Sequence, residues 1–335
     1  MTKHRMRIPA LAAILAFDLL VIILAVCNIP ALRDAAALPE PYEIPAMSTD
    51  YRAGGARALL DVTSLDDMRV ARPDVLPFIV ATLRRGDSVR VTAAGDGRRI
   101  HDTVVLLPRY SVFDIVTSQI VGFAFLLFSM YVLLRHRHAG YAGILHALAV
   151  GTAVMILLDW GSATSHAAAT HLLLRLTFDV AIWLLPTLFF HFSFIYPVEK
   201  ELPKRAIMLP FYAVSAAGIT VSAWYLAQIH LSGVPVQDTM YMEFHGTYND
   251  VFLVVGLLCT IANFEHSALT IPDAVQRKNA YWVLLGIMAG PLVYVFMMLV
   301  PRMLLDHELV SNSVLQYTLL IAPVMFWKAL RSDKM

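Results

Sequence analysis

The sequence predicts a mostly α-helical protein that crosses a membrane several times, and three observations carry that prediction. Hydrophobic residues fill 58% of the 335 positions and charged residues only 15%, and the mean hydropathy is +0.64. Those values lie outside the range of soluble globular domains. The apolar residues gather into runs of about 20, the length that spans a hydrocarbon core of about 30 Å. The basic residues collect at alternate ends of those runs, the pattern of segments retained on the cytoplasmic side.

Eight runs are long enough to span: Ile8–Ile29, Ser111–Leu134, Tyr141–Trp160, Leu172–Tyr196, Ala206–Ile229, Asp250–Thr270, Tyr281–Val300 and Val314–Trp327. The first follows Lys3, Arg5 and Arg7 but has no clear small-residue cleavage site after it, so it is expected to stay as an anchor. Arg135, Arg137, Lys200, Lys204, Arg205, Arg277, Lys278, Lys328, Arg331 and Lys334 mark the remaining cytoplasmic boundaries. The alternate loops Gly161–His171 and His230–Asn249 contain no Lys or Arg. Both termini are therefore expected in the cytoplasm of a bacterial inner (plasma) membrane. The net charge of +1 offers nothing to nucleic acid, and the lipid bilayer is the first partner expected.

Residues 30–110 are too polar and too long for a connector and are expected to form a small extracytoplasmic α/β domain. Asp34–Met47, with Pro39, Pro41 and Pro45, reads as an extended linker. Pro73-Asp74 opens a helical stretch over Val75–Leu83. Ser88–Thr92 alternates like a strand, Gly95-Asp96-Gly97 turns, and Asp102–Leu107 returns. The expected organisation is an anchoring helix over 1–29, the outer domain over 30–110, a seven-helix bundle over 111–330 and a short tail over 331–335.

Three stretches carry a resemblance. The run DVTSLDDMRVARPDVLPFIVATLRRGDSVRVTAAGDGRRIHDTVVLLP resembles the second half of the PDZ-like outer domains of some bacterial sensor kinases, although the segment Tyr51–Ala58 before it lacks a recognisable carboxylate-binding loop. LFFHFSFIYPVEKELPKRAIMLPFYA, followed by DAVQRKNAYWVLLGIMAGPLVYVFMMLVP and LLIAPVMFWKAL, resembles the multi-helix membrane-input region of sensor histidine kinases of the competence quorum-sensing type. The resemblance covers roughly residues 60–330 and implies signal input. Related input regions also precede phosphatases and cyclases, so it leaves the output open. No phosphoacceptor histidine, Gly-rich nucleotide box or long soluble stretch follows residue 328, and these residues are expected to act through a membrane or cytoplasmic protein partner.

Ionisable residues inside spans are costly and point to function or to a structural pairing. Arg175 and Asp179 sit four apart on one helical face, and Asp159 at the end of the preceding span is placed to join them. The two readings are a register-setting ion pair and a ligand-binding outer pocket rimmed by His166 and His171. His146, His191 and His266, with Glu265 beside the last, share one depth near the cytoplasmic boundary. Imidazoles at one depth suit a metal or a b-type haem, or separate hydrogen bonds to backbone; no cofactor is expected. Trp160, Trp183, Trp224, Trp282 and Trp327 read as interfacial or packing residues, and Cys27 and Cys259 as small packed hydrophobes. Gly286 and Gly290 permit close helix approach. No HExxH, GxSxG, Walker or CxxC pattern is present. The expected function is a non-enzymatic signal-input or ligand-sensing module, with an accessory subunit of a larger membrane complex second and a haem-binding electron carrier third.

Overall fold

The computed structural model describes residues 8–39, 42, 61–66, 68–70, 76–81, 83–95, 98–158, 169–200, 204–232, 240–241, 244–305, 310 and 312–332. The longest elements are helices. They are α1 (Ile8–Asp34), the short α2 (Leu76–Ala81), α3 (Val112–His136), α4 (Ala142–Leu158), α5 (Ala169–Ile195), α6 (Lys204–Ser232) and α7 (Asp250–Thr270). Then follow α8 (Ala274–Ile287), which continues through two wide π-helical stretches around Pro291, α9 (Val300–Leu305), α10 (Asn312–Leu319) and α11 (Ile321–Ser332).

Among the described residues six helices are long and apolar enough to cross a membrane: Leu11–Asp34, Val112–His136, Leu172–Ile195, Ala206–Ile229, Thr247–Thr270 and Ala274–Leu299. The chain is a polytopic helical membrane protein. Among the described residues, two of the eight expected spans fall short of that length. The third expected span is described over the 17 residues of α4, beyond which Asp159 and Trp160 lie outside the described residues, and the last is split into α10 and α11 around Leu320, whose N–H bonds the Tyr317 carbonyl three residues back. Large apolar side chains stay exposed along the helices, among them Leu19, Leu127, Leu209 and Val255. Lipid tails can cover such a surface, whereas water would not.

A β-domain is inserted between α1 and α3. Strands β2 (Asp61–Leu65), β3 (Met68–Arg69), β4 (Ser88–Gly95) and β5 (Arg98–Val105) form an antiparallel sheet in the order β3-β2-β4-β5. Within β4, Val89, Val91 and Ala93 are buried while Ser88 and Arg90 are exposed, the period-2 alternation of a strand with one covered face. With α2 laid on it, the sheet closes a small core that includes Val62, Leu65, Leu76, Ile79 and Val104. The helix and hairpin expected over residues 75–107 are present. The strand over 61–65 was not foreseen. Of the expected extended linker, Ala36-Ala37 form a strand (β1) paired with Leu107-Pro108 (β6), and residues 43–60 lie outside the described residues.

That two-stranded root joins the domain to the bundle. Arg109 N–H bonds the Ala35 carbonyl and Arg85 N–H bonds the Asp34 carbonyl, so the end of α1 and the start of α3 emerge side by side. Ser111 then caps α3. Its Oγ accepts from Asp114 N–H at 3.1 Å, and Asp114 Oδ2 accepts from Ser111 N–H at 2.9 Å. This reciprocal capping box satisfies amide donors that a helix start otherwise leaves orphaned.

The main core runs through α1, α3, α4, α5, α7, α8 and α11 and includes Val21, Phe125, Leu157, Phe192, Phe264, Ile287 and Phe326. Close approaches are made by small residues, as expected where no hydrophobic force separates helix from lipid. A β-carbon on Gly290 would meet the Thr318 carbonyl at 3.1 Å, and one on Gly286 would meet Met325 Cβ at 2.9 Å. On α6 the buried residues Ser215, Gly218 and Ser222 form the seam with α5. Gly218 is needed there because a β-carbon would lie 2.2 Å from the Trp183 ring. Gly218→Ala therefore overpacks the α5–α6 seam, at a cost of about 1–3 kcal/mol. Thermal unfolding of the purified chain in detergent should show a lower midpoint for that variant, and an unchanged midpoint would contradict the seam.

Candidate functional site

The buried side chains with most chemistry in them lie at the end of the bundle where the β-domain is rooted. On α5, Arg175 and Asp179 are one turn apart, with Arg175 Nε 3.6 Å from Asp179 Oδ1. Asp179 is fully buried, a placement that a carboxylate tolerates only among partners. Tyr241, also fully buried, supplies one. Its hydroxyl donates to Asp179 Oδ1 at 2.7 Å and accepts from Arg175 Nε, so one phenol bridges cation and anion. The Arg175 guanidinium also sits 4.6 Å from the Phe178 ring centre and 5.1 Å from that of Tyr241, within cation–π range.

His245 extends the network to α6. Its Nε2 lies 3.5 Å from Asp179 Oδ1 and 3.0 Å from Ser222 Oγ. Ser222 in turn accepts from Trp183 Nε1 at 3.0 Å. Tyr241 and His245 are four residues apart in the stretch that precedes α7, and their rings meet at 4.5 Å. Three segments distant in sequence thus converge through one carboxylate and one hydroxyl. The network is not saturated: Asp179 Oδ2, His245 Nδ1 and Asn249 Oδ1 are buried and have no hydrogen-bond partner among the described residues. A buried acceptor left in this state is costly, by about 1–3 kcal/mol, which marks the place where a polar ligand or a water would gain most.

The residues singled out from the sequence fall into different situations. Arg175 and Asp179 are paired as their spacing predicted. Asp159 and His166 lie outside the described residues, and His171 stands on the first turn of α5 with its side chain not described. The four possible metal or haem ligands are not brought together. His146 faces Asp18 and the Ser129 carbonyl, and His191 Nδ1 lies 2.7 Å from the Tyr212 hydroxyl. Glu265 and His266 are both exposed. Among the described residues no group of three or more His, Cys, Asp or Glu side chains is placed to hold a metal ion.

Sequence reasoning missed Tyr241, His245, Ser222 and Asp18, and it gave Trp183 only a packing role. Tyr241 and His245 carried one usable signal, their i, i+4 spacing within a loop free of basic residues. Ser222 had none. A second polar cluster lies at the opposite end of α5 and α7. Lys200 Nζ donates to the Asn263 carbonyl at 2.9 Å and also to its side chain, while Asn263 Nδ2 donates to Ser193 Oγ at 2.7 Å. Partial burial lowers the Lys200 ammonium to about 8. Ser193 and His191 face different partners, as their two-residue separation requires.

Between these ends, α3, α4, α5, α8 and α11 enclose an apolar crevice lined by Phe125, Phe128, Phe189, Pro291, Pro323 and Phe326. Its only hydroxyl, that of Thr152, is bonded to the Leu148 carbonyl at 2.9 Å. It holds no polar handle to orient a ligand.

No family model, no curated protein and no solved structure matches this chain.

Removing single members of the network has an expected order of effect. Tyr241→Phe keeps the ring and deletes the bridging hydroxyl, at a cost of about 1–3 kcal/mol. Asp179→Leu alone strands the Arg175 cation and costs about 3–5 kcal/mol, whereas Arg175→Met with Asp179→Leu removes both charges and recovers most of that loss. Unfolding of the three variants in detergent checks this; a double variant as unstable as the sum of its parts would show the two residues to be uncoupled.

Proposed function

We propose that this chain is the membrane-input part of a signalling system, which receives a polar cue at its outer end and acts through a partner protein. The observation that carries this reading is the Arg175–Asp179–Tyr241–His245 network. It is buried, it joins α5, α6 and the stretch that precedes α7, and it keeps unpartnered acceptor atoms at the end of the bundle that bears the β-domain. Occupation of such a site would change how three helices are tied together, and a chain whose purpose is input needs that property.

In this reading the membrane is crossed eight times, with α4 and the α10–α11 pair as the two shorter spans. Both termini are cytoplasmic and the β-domain lies outside a bacterial inner membrane. The distribution of Lys and Arg supports that orientation. The β-domain is a degenerate PDZ-like fold, supported by the order of strand, helix and hairpin over residues 61–105. The resemblance to the input regions of quorum-sensing kinases is supported by His191 and Tyr212. Both belong to the stretch that carries the resemblance, and they bond to each other across α5 and α6.

The test is mild-detergent purification of the tagged full chain from its host, with mass spectrometry of what travels with it, for wild type and Asp179→Asn. The expected result is a stoichiometric partner bearing a kinase, phosphatase or cyclase domain, bound equally by both forms, with an output that Asp179→Asn uncouples from conditions outside the cell. Recovery in a stable multi-subunit assembly without such a domain would overturn the proposal in favour of an accessory subunit. A haem absorption band on the purified chain would overturn it in favour of an electron carrier.

A further inference from the structure

Helices α8 and α11 run antiparallel, and their seam can be followed toward the end of the bundle opposite the β-domain. A β-carbon on Gly286 would meet Met325 Cβ at 2.9 Å. One turn closer to that end, the Lys328 ammonium lies 3.6 Å from the centre of the Trp282 ring, a cation–π contact. A further turn in the same register brings Lys278, four residues before Trp282, level with Arg331. The Arg331 guanidinium sits 5.5 Å from the Trp327 ring centre. Two helices thus carry basic side chains to one place, and two indoles hold two of those side chains there.

Positive charge accumulates at this place. Residues 271–287 and 321–332 contain four basic side chains, Arg277, Lys278, Lys328 and Arg331, against one acidic side chain, Asp273. All four basic residues are exposed. Asp273 caps α8, accepting from the Gln276 N–H at 2.7 Å, and the amide donors that begin the helix add to the positive potential. Toward the middle of the membrane the same surface turns apolar. Tyr281 and Trp327 are exposed at the level of the cations, the depth at which aromatic side chains sit in an interface, and Leu285 and Val324 are exposed beyond them.

We propose that the adjoining ends of α8 and α11 form a binding site for an anionic phospholipid. Lys278, Lys328 and Arg331 hold its phosphodiester, and an acyl chain lies along Leu285 and Val324. Basic pockets between membrane helices bind anionic head groups in this way. An ammonium and a guanidinium already resting on indole faces lose less freedom on binding than unsupported side chains would. The apolar surface beneath the cations favours a lipid over a soluble phosphate, which has no chain to lay on it. The inference needs only that the chain lies in a membrane and is independent of the proposed signalling role.

The experiment uses the full chain in nanodiscs of phosphatidylcholine alone or mixed with phosphatidylglycerol. A lipid that binds the native state raises the unfolding midpoint, so wild type should unfold at a higher temperature in the mixed discs and retain phosphatidylglycerol in native mass spectrometry. Lys278→Gln with Arg331→Gln should lower that retention by about fivefold for each cation removed. Arg135→Gln with Arg137→Gln, an equal loss of charge from exposed residues at the end of α3, should leave it unchanged. Equal losses in the two double variants would overturn the proposal in favour of diffuse surface charge. A rise reproduced by inorganic phosphate in phosphatidylcholine discs would overturn it in favour of a soluble anion. A phosphatidylglycerol with a photoreactive acyl chain tests wild type alone, so the proposal does not depend on a variant that folds. Cross-links should concentrate around Leu285 and Val324, and an even spread over the lipid-facing surface would overturn it.

Discussion

A polar group inside a lipid-embedded bundle has no water to turn to, so its partner must come from the protein, and that requirement organises this structure. The hydrocarbon side supplies no preference for one helix neighbour over another, since lipid tails are as apolar as the Leu and Val side chains they replace. Specific hydrogen bonds and close contacts of small residues decide the pairings. Asp179 shows the constraint most sharply. Fully buried on α5, it is reached by Tyr241 and His245 from the stretch that precedes α7, and through His245 and Ser222 by α6. The same logic, applied to Asp18 and Asn28, ties α1 to α4, and applied to Ser118 and Gln316 it ties α3 to α10.

Apolar packing then fills what the polar ties have placed. Ser215, Gly218 and Ser222 let α6 approach α5 closely enough for the Trp183 ring to lie across the seam and for its N–H to reach Ser222. The indole is therefore a structural link in the polar network as well as a packed ring. From it a series of aromatic contacts runs along α5, α6 and α7 through Phe252, Phe211, Phe190 and Phe194, each pair of rings 4.6 to 6.2 Å apart. At its far end Lys200 Nζ lies 5.9 Å from the Phe194 ring. The two polar clusters are thus joined by a continuous packed path. Contiguity of this kind is a physical basis for coupling between ends, and coupling itself is a matter of measured energies.

The β-domain obeys different rules. It is built from the period-2 burial of β4 and a core of its own, and it touches the bundle's backbone through the short β1–β6 root and the hydrogen bonds at Asp34, Ala35 and Arg109. A rigid root matters because α1 buries only one stripe of its surface against the bundle and leaves Phe17, Leu19, Ile23 and Val26 exposed. The position of the domain depends on that stripe.

Composition and periodicity by themselves determined that this chain is a polytopic helical membrane protein, because the length of an apolar run and the placement of charges are local properties that hydrocarbon reads directly. They also determined the Arg175–Asp179 pair, since i, i+4 neighbours meet on any helix, and the helix followed by a hairpin in the inserted domain. Only the tertiary structure decided which distant residues complete the site. Tyr241 lies 62 positions from Asp179 and His146 lies 128 from Asp18, and nothing in a single sequence encodes which helix faces which. The sequence suggested one depth for His146, His191 and His266, but depth leaves rotation about each helix axis free. Rotation sent one to Asp18, one to Tyr212 and one to the exposed surface, and it is set by packing.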